Sequence, residues 1–215
     1  MSLIVKICGL KTPETLEAAI GAGADWVGFV FFPKSPRHVT GELAHELGRI
    51  AGTRVKKVAL SVDADDAALA DIEKALSPDL HQLHGHEAPE RVAAIKARFG
   101  RPVIKAVGIA EAADLDAART YETAADWLLL DAKPPKNADL PGGNGLTFDW
   151  RLLAGLDLEK PFMVSGGLDP SNVEQAITIS RPAGVDISSG VETAPGIKDP
   201  AKIRAFIEAA RAASR

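Results

Sequence analysis

Two residues of this chain have the types needed to move protons in opposite directions. Cys8, the only cysteine, ends the run Leu3-Ile4-Val5-Lys6-Ile7 just before Gly9. A thiolate is a base, and a neighbouring ammonium such as that of Lys6 favours it over the thiol. Asp131 ends the apolar run Trp127-Leu128-Leu129-Leu130. A carboxyl group beside an apolar wall can keep its proton and deliver it as an acid. Each has a plainer reading: Cys8 as a small hydrophobe filling a core, and Asp131 as a solvated carboxylate opening a loop.

Groups suited to anions accompany them. The turns Ser165-Gly166-Gly167-Leu168 and Ser188-Ser189-Gly190 lack side chains where backbone N–H groups could approach a phosphate. Taken singly, either could be only a tight turn. Ser35-Pro36-Arg37 offers a guanidinium that suits a carboxylate or phosphate, or is an ordinary surface arginine. His81, His84 and His86 do not share one face of an extended strand. No cysteine pair or carboxylate cluster completes a ligand set, so no metal site is expected. His84 is a candidate pocket residue, and His45 reads as surface.

These residues need a frame. Strand patterns fall at 3–7, 26–31, 55–62, 79–83, 102–107, 127–131, 161–165 and 185–188. Helical patterns fall at 13–22, 40–51, 65–76, 88–99, 110–120, 148–153, 170–179 and 199–213. Apolar strands alternating with helices predict a parallel sheet covered on both faces, and eight regular units predict a (β/α)8 barrel. An open doubly wound sheet is the competitor, but no GxGxxG follows the first strand. In a barrel, chemistry belongs where strands run into the following loops. Cys8, Arg37, Gln82, Asp131, Ser165 and Ser188 all fall there. Alternation puts Ile4, Lys6 and Cys8 on one face of the first strand and Leu3, Val5 and Ile7 on the other. The outer face must meet helices, so Lys6 and Cys8 should point inward. By the same parity Trp127, Leu129 and Asp131 share a face.

Composition narrows the class. The 215 residues suit one domain, 1–215, and no linker or composition shift divides them. The net charge of -4 gives no footprint for nucleic acid or an anionic membrane. One cysteine forms no internal disulfide, which favours a cytoplasmic setting. No apolar run approaches the ~20 residues of a membrane helix, and the start of the chain is too soon interrupted for a secretory signal. The stretch 132–147, with Lys133, Lys136 and Pro141-Gly142-Gly143-Asn144-Gly145, reads as a ligand-shaping cover or a plain excursion.

An ordered set of motifs resembles the phosphoribosylanthranilate isomerase family of tryptophan biosynthesis. The set comprises KICGL (6–10), GADWVGFVF (23–31), SPRHV (35–39), QLHG (82–85), LLLDA (128–132), and GGNG (142–145) with FDW (148–150). SGGLDPSNV (165–173), GVDISSGVE (184–192) and GIKDPAKI (196–203) complete it. Departures fall at Thr15, Asn144, Ser165 and the stretch SVDAD (61–65).

The resemblance implies a cofactor-free Amadori rearrangement of N-(5-phosphoribosyl)anthranilate to 1-(2-carboxyphenylamino)-1-deoxy-D-ribulose 5-phosphate. It assigns Asp131 as the acid that protonates the ring oxygen and Cys8 as the base that takes the C2 proton. It further implies that Arg37 holds the anthranilate moiety and that Gly166, Gly167, Ser189 and Gly190 hold the phosphate. Gln82 and Asp186 are the remaining substrate-binding candidates. The other readings are a related phosphate-binding isomerase or synthase barrel, and a barrel that binds ligand without turnover. Such an isomerase typically works with two carboxylates, and Cys8 at the rim of the first strand argues against it. Such a synthase would be expected to show a catalytic lysine and additional N-terminal material, for which 215 residues leave little room.

Overall fold

Eight strands of this chain are largely buried on both faces, and they close on one another. The computed structural model describes residues 2–133, 142–143 and 145–214. Lys136, Pro141 and Asn144 of the expected cover lie outside the described residues. Strands β1 (Ile4–Cys8), β2 (Trp26–Phe31), β3 (Lys56–Ser61) and β4 (Leu80–Leu83) form the first half of a closed parallel barrel. β5 (Val103–Ile109), β6 (Trp127–Ala132), β7 (Phe162–Val164) and β8 (Gly184–Ile187) form the second, and β8 pairs back onto β1. Helices α1 (Pro13–Gly21), α2 (Gly41–Ala51), α3 (Asp66–Leu76), α4 (Pro89–Phe99) and α5 (Ala113–Arg119) follow the first five strands. α6 (Val173–Ser180) and α7 (Pro200–Ala213) follow β7 and β8. The architecture is a single-domain (β/α)8 barrel.

Three expected helices are shorter than their pattern. α5 starts at Ala113 rather than at 110, after a turn in which the Asp114 carboxylate accepts from the Ala110 and Glu111 N–H groups at 2.8 and 3.1 Å. Over 148–153 only a 3-10 turn, Trp150–Leu153, forms, started by the Asp149 carboxylate accepting from the Arg151 N–H at 3.0 Å. α6 begins at Val173 because Asp169-Pro170-Ser171-Asn172 is a side-chain-capped turn. There Asp169 accepts from the Ser171 N–H at 2.7 Å, and Asn172 from the Asp169 N–H at 2.9 Å. A two-stranded hairpin, β9 (Glu192–Ala194) with β10 (Ile197–Lys198), stands between β8 and α7, where no element was expected.

Period-2 alternation sorts the side chains. Val5, Ile7, Phe29, Leu128 and Val185 pack outward into a core shared with the helices. Ile4, Trp26, Val58, Ile104, Leu129 and Met163 fill the lower barrel interior, where Trp26 and Trp127 meet edge-on at 5.0 Å. The upper interior is different: Lys6, Gln82 and Asp186 are buried there. A filled floor and a polar upper interior leave only the C-terminal mouth of the barrel open for chemistry.

The opposite end is held by a repeated device. Asp25, Asp79 and Asp126 each precede an even-numbered strand, and each carboxylate accepts from an N–H within the first two residues of a neighbouring odd strand. Val5 N–H donates to Asp25 at 2.7 Å, Lys57 N–H to Asp79 at 2.7 Å and Val103 N–H to Asp126 at 2.9 Å. These are charge-assisted bonds at strand starts that the ladder leaves unpaired. Asp79→Ala should therefore lower the unfolding free energy by about 1–2 kcal/mol in urea titration, with an unchanged m-value. An unchanged midpoint would remove the clamp from the stability of the barrel.

Candidate active site

Register places the first charged pair. In the β1–β8 ladder Lys6 lies opposite Asp186, and the Lys6 ammonium donates to Asp186 Oδ1 at 2.8 Å with both side chains buried. Ser165 Oγ reaches Asp186 Oδ2 at 3.4 Å. On the other side of β1, Cys8 lies opposite Gly28. A Cβ at residue 28 would stand 2.7 Å from Cys8 Sγ and 3.2 Å from Lys6 Nζ. The missing side chain is thus the space that thiol and ammonium share. Val30 and Leu60 complete an apolar wall around Cys8.

Burial dominates the thiol. It raises the Cys8 pKa, Lys6 and Lys198 pull it down, Asp186 pushes it up, and the net result lies above the ordinary value. The expectation that Lys6 would favour a thiolate is right in sign and outweighed in size. Burial thus favours the Cys8 thiol over its thiolate. Lys6 behaves in the reverse manner: burial lowers its pKa, but Asp186 and Cys8 together raise it, so it stays charged.

Asp131, on the inner face of β6, belongs to a buried polar chain. His84 Nε2 stands 3.3 Å from Asp131 Oδ2, and Gln82 Nε2 lies 3.2 Å from His84 Nδ1. With the Gln82 amide N–H donating to Nδ1, the imidazole proton sits on Nε2 and faces the carboxylate. Asp131 Oδ1 accepts from the Ala132 N–H at 2.9 Å. Gln82 Oε1 is buried and has no partner among the described residues, so it can take a ligand hydroxyl. His81 points the other way, onto Glu73 at 2.8 Å, as alternation requires. Gly142 closes over this chain; a Cβ there would lie 2.7 Å from His84 Nε2 and 2.8 Å from Asp131 Oδ2.

Arg37 is not a surface arginine. Its Cδ rests against Gly9, where a Cβ would be 2.8 Å away, so the glycine after Cys8 makes room for it. Its Nε and Nη2 form a two-point pair with Glu192 at 2.8 and 2.9 Å. Glu192 also accepts from Lys198 Nζ at 2.7 Å. Burial pulls Lys198 down to about 8 against the attraction of Glu192. Glu192 itself is held below the usual carboxylate range: burial raises it, and Arg37 and Lys198 more than reverse this.

Arg37, Gln82, Asp131, Gly166, Gly167, Asp186 and Ser189 line one open cavity with Cys8, of about 760 Å³ including its mouth. Gly190 is the exception among the sequence candidates. A side chain there would collide with the Leu168 carbonyl, so this glycine lets the turns after β7 and β8 pack together rather than lining the cavity. Among the described residues, the N–H groups of Gly166, Gly167, Ser189 and Gly190 find no backbone acceptor. Such a nest of amides suits an anion. Also among the described residues, no group of three or more His, Cys, Asp or Glu side chains could hold a metal.

Sequence reasoning singled out Cys8, Asp131, Arg37 and the two glycine turns, which the structure brings to one cavity, and missed Glu192 and Lys198 as partners of Arg37. Both lie in stretches singled out only as motif text, 184–192 and 196–203. The one signal was an acidic residue just past the mouth of β8.

A family model described as N-(5'phosphoribosyl)anthranilate (PRA) isomerase matches residues 5–209. An N-(5'-phosphoribosyl)anthranilate isomerase of Rhodopseudomonas palustris (strain HaA2) is 61% identical over 99% of this chain and 97% of its own. That of Bradyrhizobium diazoefficiens is 61% identical over 99% of this chain and 95% of its own. The phosphoribosyl anthranilate isomerase structure from Thermotoga maritima superposes with a TM-score of 0.88, at 37% identity, covering 98% of this chain and 99% of that one. A second, in complex with reduced 1-(o-carboxyphenylamino)-1-deoxyribulose 5-phosphate, gives 0.86 at 36% identity, covering 98% and 99%. With its closed eight-stranded barrel and a match over nearly its whole length, the chain belongs to the N-(5'-phosphoribosyl)anthranilate isomerase family.

Proposed function

We propose that Asp131 and Cys8 are the acid and base by which this isomerase of tryptophan biosynthesis rearranges N-(5'-phosphoribosyl)anthranilate. The observation that carries this reading is that a carboxyl and the only thiol line one cavity, on different strands and in different surroundings. Asp131 gives its proton to the ring oxygen as the C1–O bond breaks and the anthranilate nitrogen forms a C=N bond to C1. The cationic imine acidifies C2. Cys8 first releases its thiol proton to solvent; the thiolate then takes the C2 proton, and the electron pair neutralises the imine to an enolamine. The C2 hydroxyl then loses its proton as C1 gains one, giving the ketone. The proton that Cys8 released reaches Asp131 through solvent, so no proton is gained or lost overall.

Arg37 supplies a cation for the anthranilate carboxylate, beside Cys8. The amides of Gly166, Gly167 and Ser189 supply the phosphate site, and the unpartnered Gln82 Oε1 an acceptor for a sugar hydroxyl. His84 keeps an N–H on Asp131 Oδ2, orienting the carboxyl toward the cavity. Asp186 holds Lys6 in place. The chemistry uses side chains alone, and the single thiol fits a reducing cytoplasm. No helix among the described residues is long and apolar enough to cross a membrane.

Cys8→Ser and Asp131→Asn should each lower kcat by about 10²- to 10⁴-fold with KM nearly unchanged, since each removes a proton transfer rather than a binding contact. Loss of substrate fluorescence, with phosphoribosylanthranilate generated in situ, reads this out. Near-normal turnover by either variant would overturn its assignment.

Lys6 offers a test with a pH axis. It lowers the pKa of a thiol that must ionise to act, so its removal raises that pKa further. Lys6→Met/Asp186→Asn leaves no unpaired buried charge and also removes the weaker, opposing push of Asp186 on the thiol, so the rising limb of the kcat/KM profile should still move to higher pH. A limb at the wild-type position would show that Lys6 does not outweigh Asp186 at the thiol.

A further inference from the structure

The hairpin between β8 and α7 is the part of the mouth that the chemistry above does not use. Its two charged residues are nevertheless buried, and they join groups assigned to opposite ends of the substrate. Glu192 grips Arg37 through two hydrogen bonds and receives Lys198 at 2.7 Å. Lys198 Nζ also donates to the Ser188 carbonyl at 2.9 Å and contacts Ser188 Oγ at 3.1 Å. Ser188 Oγ in turn donates to the Cys8 carbonyl at 3.2 Å. One continuous chain therefore runs from Arg37 through Glu192, Lys198 and Ser188 to the end of β1.

The hairpin is itself anchored from both sides. Lys202 of α7 donates to the Glu192 carbonyl at 2.7 Å, and the Asp199 N–H to the Val191 carbonyl at 2.8 Å. At its tip Gly196 has a φ of 79°, and its backbone packs so closely on the Pro36 carbonyl that a Cβ would collide. The residue before Arg37 is thus touched by the tip while Arg37 is gripped by the base. Stability does not explain this arrangement. Three buried charges are costly to desolvate, and apolar replacements of similar volume are often as stable or more so. With Arg37 and Lys198 against one Glu192, the cluster keeps one net positive charge at a mouth that takes a doubly anionic substrate.

We propose that Glu192 and Lys198 are positioning residues. From one hairpin they fix the distance between the cation that takes the substrate carboxylate and the turn at Ser188-Ser189 that takes its phosphate. The proposal rests on the substrate assignment above. It adds that specificity for a ligand with two anions at a set separation is built by residues that touch neither anion.

The test uses the full-length protein with Glu192→Gln, Lys198→Met and Lys198→Arg. Each is assayed for KM and kcat, and for calorimetric binding of reduced 1-(o-carboxyphenylamino)-1-deoxyribulose 5-phosphate. Glu192→Gln and Lys198→Met should raise KM and weaken analogue binding by about tenfold or more, while kcat, corrected through its pH profile for the fraction of Cys8 that is ionised, stays within about threefold; Lys198→Arg should recover much of the loss. Inorganic phosphate, which carries a single anionic centre, should lose far less affinity than the analogue. Folded variants with wild-type KM and analogue affinity would overturn the proposal, as would an equal loss for phosphate and analogue. If charge removal prevents folding, Gly196→Ala keeps every charge and displaces only the tip; it should weaken the analogue in the same way, and unchanged binding would again overturn the proposal. A wild-type protein that binds the analogue but does not turn over substrate would contradict the catalytic assignment and leave the positioning proposal standing on its binding arm.

Discussion

The structure depends most on the buried ion pair between Lys6 and Asp186. A parallel barrel brings β1 and β8 together only when it closes, so this 2.8 Å contact exists because the sheet is complete. Two charges in a barrel interior are costly unless each has its partner, and that cost selects the register in which they meet. The same register sets Cys8 one pleat above Lys6 and opposite a glycine. The thiol therefore sits where burial and an ammonium act on it in opposite directions.

That opposition gives the mouth its chemical asymmetry. Cys8 lies against Val30 and Leu60, while Asp131 lies in a chain of polar groups reaching Gln82. The groups proposed as acid and base thus stand in unlike surroundings, one apolar and one hydrogen-bonded, an arrangement that suits an acid–base pair. The ends of the barrel divide the labour. Aspartates at the base tie strand starts together, and the loops at the mouth carry the polar cavity. A residue's place along its strand thus says whether it serves stability or chemistry.

Alternation made much of this legible in the sequence. Leu3, Val5 and Ile7 could not face a polar interior, so Lys6 and Cys8 had to, and the same parity turned Asp131 inward and His81 outward. Glycine turns after adjacent strands made a candidate anion site legible, and of these Gly190 packs on Leu168 rather than lining the cavity. The partners of Arg37 were not legible, because Glu192 is 155 residues away and only barrel closure brings them together. Nor was the balance at Cys8: a sequence shows that Lys6 is near but not how completely water is removed. The pattern at 148–153 was too short to hold a helix without a neighbouring turn to extend it.

Because the chain has one cysteine, the protonation of Cys8 can be measured directly. Thiolate ultraviolet absorbance followed against pH, with Cys8→Ser as the blank, reports that group alone. A midpoint above the value of a free thiol, about 8.5, is expected if burial outweighs Lys6. A midpoint at or below that value would mean the ammonium prevails, and would contradict the burial-favoured thiol on which this view of the site is built.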